Sequence, residues 1–158
     1  MSDRTCGSCT ACCKTHPIAE LNNPAGVWCQ HCDVGKGCRI YERRPQECID
    51  FQCDWLLGDF AEDDRPDIVK VVVGDLTAPG FGPMPALYEV TQGALDGNFA
   101  RKMTEQAIRK GLFICHLPLQ GANKIYIPAE KRHLYGDGQV YFPINLRETQ
   151  IVHYKSGK

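Results

Sequence analysis

Nine of the ten cysteines in this 158-residue chain fall within its first 53 residues. They read Cys6-x2-Cys9-x2-Cys12-Cys13, then Cys29-x2-Cys32, then Cys38, Cys48 and Cys53. Thiols crowded to this degree either hold metal or oxidise, so this spacing constrains the fold more than any other feature. No early segment combines a basic start, an apolar core and a small-residue cleavage site, so no secretory signal is expected. The expected compartment is therefore the cytoplasm, where structural disulfides are rare, and the cysteines read as metal ligands rather than a disulfide scaffold.

Apolar residues make up 43% and charged residues 23% of the chain, near globular averages, which argues against general disorder. Apolar runs such as Ile68-Val69 and Val71-Val72-Val73 are far too short to cross a bilayer, so no membrane association is expected. The net charge of −1 conceals a split between a −5 half (residues 1–64) and a +4 half (residues 65–158). Each zinc centre with four thiolates would add about −2 to the acidic half. A segment of that sign repels phosphate backbones, so no nucleic-acid partner is expected, and the sequence names no other partner.

Two regions are expected to make one compact unit: a cysteine-cluster region (1–64) and an α+β body (65–158). The first is broken by Pro24, Gly26, Gly35, Gly37 and Pro45, so it should be helical and irregular, with a helix from Pro45 to Leu57 that Gly58 ends. In the second, Ile68 to Val73, Leu87 to Val90, Leu112 to Leu117, Lys124 to Ile127, Val140 to Phe142 and Gln150 to Tyr154 read as strands, with Gly136-Asp137-Gly138 as a turn. Phe99, Met103 and Ala107 recur every four residues, which predicts a helix to Lys110 with Asn98 as N-cap and Gly111 as its stop. The expected fold class is α+β: a metal-stapled N-terminal part packed on a small, mainly antiparallel sheet with one helix.

Zinc takes four soft ligands in a tetrahedron, and x2 spacing on a tight turn lets two thiolates reach one ion. Adjacent Cys12 and Cys13 project about 100° apart on a helix, so they point to two nearby centres or to one larger cluster. Cys48 and Cys53 would diverge by about 140° on one helix, which places them in different centres unless the helix ends between them. Iron competes with zinc, because Cys6-x2-Cys9-x2-Cys12 repeats the first three ligands of the bacterial ferredoxin run. The fourth position of that run is held here by His16-Pro17, and His16 reads as a solvated turn residue ahead of an iron ligand.

Three stretches carry a family resemblance: Cys6-Gly7-Ser8-Cys9-Thr10-Ala11-Cys12-Cys13, Gly37-Cys38-Arg39-Ile40-Tyr41-Glu42-Arg43-Arg44-Pro45-Gln46-Glu47-Cys48, and Phe51-Gln52-Cys53. Over residues 5–55 the chain resembles the YkgJ-type cysteine-cluster proteins, described as zinc- or iron-chelating domains. The resemblance implies eight metal ligands: Cys6, Cys9, Cys12, Cys13, Cys32, Cys38, Cys48 and Cys53. Cys29 is additional to that pattern and either substitutes for Cys32 or stands free. Some flagellin lysine-N-methylases carry a similar cluster, which keeps an enzymatic role open.

Arg39, Arg43 and Arg44 lie close to the thiols in sequence and are expected to place at least one guanidinium against the anionic site. Ile40 and Tyr41 read as packing residues, Trp28 and Trp55 as covers of the cluster, and His31 as a bystander. Cys115 sits in an apolar strand and reads as a small hydrophobe. His116, His133 and His153 are scattered and read as structural or exposed. No phosphate loop, nucleophile elbow, HExxH pattern or carboxylate pair is present, so no catalytic residue is named. The leading expectation is a cytoplasmic protein whose cysteines chelate structural Zn2+. The alternatives are an iron–sulfur protein with a redox role, a methyltransferase-like modifying enzyme carrying a structural cluster, and a metal store or chaperone.

Overall fold

A computed structural model describes residues 3–135, 138–144 and 147–154, so the expected turn at 136–138 lies largely outside the described residues. Short elements fill the N-terminal part: helix α1 (Cys12–Thr15), the paired strands β1 (Cys32–Asp33) and β2 (Gly37–Cys38), then helices α2 (Gln46–Asp50), α3 (Asp54–Leu57) and α4 (Pro66–Val69). Longer elements follow: β3 (Val71–Ala78), β4 (Gly82–Glu89), helix α5 (Asn98–Arg109), β5 (Ile114–Leu117), β6 (Asn123–Ile127), β7 (Gly138–Ile144) and β8 (Arg147–His153). Helices and strands are mixed as an α+β chain requires.

The sheet adds parallel pairs to the expected antiparallel ones. Its six strands run in the order β3-β4-β5-β6-β8-β7, and the pairs β4·β5 and β6·β8 are parallel while the other three are antiparallel. The sheet is therefore mixed, with antiparallel pairs in the majority. Parallel neighbours need a crossover, and α5 supplies it between β4 and β5. The chain then runs from β6 to the edge strand β7 before β8 returns between them, which makes the second parallel pair.

Side-chain parity divides the sheet into two buried faces. Val71, Val73, Leu87 and Ile114 point to one face and pack with Ala100 and Ala107 of α5. Val72, Ala86, Tyr88, Cys115 and Ile125 point to the other, where Ala11, Cys9, Phe51 and Cys53 of the N-terminal part close over them. This double coverage explains why β3 opens with four buried residues in a row. Gly74 permits the closest approach, because a Cβ there would lie 3.4 Å from the Phe51 ring. The cysteine region thus forms the second layer over the sheet.

Element boundaries differ from expectation as well: β4 begins at Gly82, five residues before Leu87, and β5 at Ile114 rather than Leu112. The expected helix from Pro45 to Leu57 is two helices, since Phe51 and Cys53 are extended; Phe51 turns its ring onto the sheet instead of continuing the spiral. Pro66 starts α4 and Lys70 ends it in a left-handed conformation, so the strand expected from Ile68 begins at Val71. Helix α5 ends where expected, with Gly111 at φ 75°, but its cap is Gly97 and Asn98 is already helical.

Candidate metal centre

Both x2 cysteine pairs fold as tight turns. Cys9 N–H donates to the Cys6 carbonyl at 2.8 Å and Cys32 N–H to the Cys29 carbonyl at 3.0 Å. Gly7 takes φ 53° in the first turn, a left-handed conformation that costs other residues about 1–2 kcal/mol. Beyond it Cys12 and Cys13 open α1, and Cys29 N–H donates to the Cys13 carbonyl at 3.0 Å, which ties the two turns together. Cys32 and Cys38 stand directly opposite each other in the β1·β2 pair. Cys48 lies within α2 and Cys53 immediately precedes α3, so the break between these helices frees their directions.

The result is one cavity of about 310 Å3 with Cys6, Cys9, Cys12, Cys13, Cys29, Cys32, Cys38 and Cys48 on its wall. Seven of the eight thiols implied by the family resemblance are brought together there. Cys53 is not on that wall, but its thiol acts electrostatically on Cys9 and feels Cys6. Cys29, left open by the resemblance, belongs with the others: it is buried, lines the cavity and acts on Cys32 and Cys48. All ten cysteines carry free thiols. Among the described residues no three donor groups already converge on one point, so gripping an ion requires the side chains to turn inward from the wall.

The thiols fall into two electrostatic neighbourhoods. Cys48 is pushed up to about 11 by burial and then by Cys13, Cys29, Cys38 and Glu47. Cys32 is pushed up to about 12 by burial and by Cys13, against the hydrogen bond from Thr10. Cys13 is held far above the usual thiol range, chiefly by its hydrogen bond with Cys12 and by burial. On the sheet side Cys6, Cys9 and Cys53 are raised by burial and by one another; Cys13 also raises Cys6 and so joins the two neighbourhoods, while Arg44 lowers it. Without a cation these groups keep their protons at neutral pH; a bound cation reverses the balance and releases them.

The surroundings suit sulfur that becomes charged. His31 N–H donates to Cys29 Sγ at 3.4 Å. Backbone N–H groups of Ala11 and Asp67 face the Cys9 sulfur, and those of Trp55 and Leu56 face Cys53. Of the three expected arginines, Arg44 lines the cavity and lies 3.9 Å over the Tyr41 ring. Arg39 donates to the Gln30 carbonyl and Arg43 is exposed. Tyr41 is exposed as well, so it serves Arg44 rather than the core. Trp55 is buried and its indole N–H reaches the Ala61 carbonyl at 3.0 Å, while Trp28 is half-buried beneath Lys14.

His16 departs most from its expected role. It is not a solvated turn residue: burial lowers it to about 4, so it is a neutral imidazole at pH 7. Its ring also lines the cysteine cavity, and Nε2 is buried without a hydrogen-bond partner. An orphaned buried nitrogen, on a ring of the cavity wall that also carries eight cysteines, fits a soft-metal donor set. Elsewhere, Cys115 is fully buried within the sheet core, and burial pushes its thiol up to about 12. His116 is buried in a 2.8 Å hydrogen bond with Thr104, and His133 is exposed.

No family model, curated protein or solved structure matches this chain. Among the described residues no helix is long and apolar enough to cross a membrane.

Proposed function

We propose that this chain is a cytoplasmic metal-binding protein of the YkgJ-type cysteine-cluster kind, and that its cavity holds Zn2+ as a structural staple. The observation that carries this reading is the gathering of eight thiols, drawn from separate turns, helices and strands, around one space of about 310 Å3. Cys6, Cys9, Cys12, Cys13, Cys32, Cys38, Cys48 and Cys53 remain the proposed ligands, with Cys29 added from its place on the wall. The segment has little else to hold it. Among the described residues before Pro66, the buried hydrophobics are Ala11, Ile18, Cys29 and Trp55. Metal-binding free energy then acts as folding free energy.

Zinc would bind thiolates already supplied with N–H donors and a guanidinium, and would add charge stabilisation without redox chemistry. One observation favours a second reading: the thiols share one continuous cavity rather than two separate ones, which suits a polynuclear iron–sulfur centre. Metal analysis and a visible spectrum of protein prepared without oxygen or chelator distinguish the two. Near-stoichiometric zinc in colourless protein supports the structural staple; iron with visible absorbance supports the cluster. Metal-free protein that is fully folded contradicts both.

A further inference from the structure

His16 is held in place by three contacts that leave one atom unused. Its ring lies against Phe51 and Tyr88, with centroids 3.8 Å and 4.2 Å away. Its Nδ1 shares a 2.8 Å hydrogen bond with Thr15 Oγ1. Its Nε2 is buried, has no hydrogen-bond partner and belongs to a ring on the cavity wall. Buried polar atoms are ordinarily hydrogen-bonded, as the Nε2 of His116 is to Thr104 Oγ1 at 2.8 Å within the core. Resting on the metal-binding reading above, we infer that His16 Nε2 is a direct ligand of a metal ion at the sheet-side end of the cavity.

The contacts suit that role. Coordination through Nε2 requires the proton on Nδ1, and Thr15 Oγ1 is placed to accept it. This is the outer support that fixes tautomer and ring orientation in histidine–metal sites. Phe51 and Tyr88 fix the plane of the ring. The same two residues belong to the packing layer where Cys9 and Cys53 meet the sheet, and Cys6 is tied to Cys9 by its turn. Cys13, which also acts on Cys6, is shared with the thiols at the other end, and His16 supplies a donor that is not shared. A site of three thiolates and one imidazole also carries one negative charge less than a site of four thiolates, a benefit in a half that already bears −5.

Co2+ is the probe, because its visible ligand-field bands report nitrogen and sulfur donors separately. Wild-type protein, His16→Phe and His16→Cys are loaded with Co2+ without oxygen and then competed with Zn2+. Phenylalanine keeps the aromatic packing and removes the nitrogen; cysteine offers a different ligand at the same place. Wild type should show a mixed nitrogen–sulfur spectrum. His16→Phe should lose that component and hold its metal at least about 100-fold more weakly, since losing even an outer-shell partner costs about 10–100-fold. His16→Cys should recover binding with bands shifted toward an all-sulfur set. A His16→Phe protein with wild-type spectrum and affinity overturns this inference and leaves metal binding intact. A wild-type protein that takes up neither Co2+ nor Zn2+ overturns both.

Discussion

The two layers of this molecule are held by different forces. Residues 71–127 bury hydrophobic side chains in each of β3, β4, β5 and β6, on both faces of the sheet. The layer that covers one face, residues 3–64, is built from helices of five residues or fewer and a two-stranded hairpin. Beyond the packing of Ala11, Phe51, Cys9 and Cys53 on the sheet, it has polar ties: Arg4 to the Trp55 carbonyl, the Ala19 N–H to Glu47, the Gly35 N–H to Thr10. Helices this short are unstable alone, so their order depends on what they grip. The sheet explains itself by burial; the covering layer does not, and its nine thiols are the remaining resource.

Removing metal should break the molecule along that line, and this is the largest expected effect. Structural zinc contributes about 10–16 kcal/mol in small domains. Amide exchange after treatment with a strong chelator should therefore lose protection at residues 6–57 while β3, β4 and β5 stay protected. Equal protection in both layers would erase the distinction between them.

The converse substitution acts on the sheet. Leu87 is fully buried beneath α5, and Leu87→Ala should cost about 3 kcal/mol in chemical denaturation while metal content stays unchanged. Loss of metal in that variant would show that the layers are not separable.

Acid should weaken the sheet layer through His116, which burial lowers to about 4. An unfolded histidine titrates near 6.5, so the unfolded chain takes up a proton first. Stability should fall as pH drops from about 6.5 to about 4 and then level off, a loss of up to about 3 kcal/mol. His116→Gln should reduce that slope by the His116 share in denaturation curves collected across the range; an unchanged slope would assign the acid sensitivity elsewhere, as to His16, which burial also lowers to about 4.

A paired test on single cysteines and one glycine is the finest. Cys48→Ser should lower metal content, whereas Cys115→Ala should keep it, since Cys115 lies inside the sheet core. Gly7→Ala meets no neighbouring atom, so only backbone strain of about 1 kcal/mol weakens the first turn, about fivefold in metal affinity.

Sequence pattern located individual elements better than their pairing in the sheet. Val71-Val72-Val73 and the Phe99, Met103, Ala107 spacing located β3 and α5 because burial and periodicity act locally. The parallel pairs escaped it, because the insertion of β8 beside β6 depends on contacts between residues more than twenty positions apart. The break at Phe51 escaped for the same reason: nothing near it shows that Gly74 leaves room for its ring. At the site, spacing grouped the cysteines but could not place Cys29. The proline beside His16 suggests a solvated turn, whereas Phe51 and Tyr88 bury the ring from distant parts of the chain.

On the proposed function an ion, not sulfur–sulfur bonding, holds the covering layer. Native mass spectrometry of oxygen-free protein measures this directly, since a bound ion adds its mass less the protons it displaces, while each disulfide removes two hydrogens. Zinc or iron retained in folded protein, lost together with that layer's exchange protection, is the result expected. A folded, metal-free chain lighter by pairs of hydrogens would contradict it.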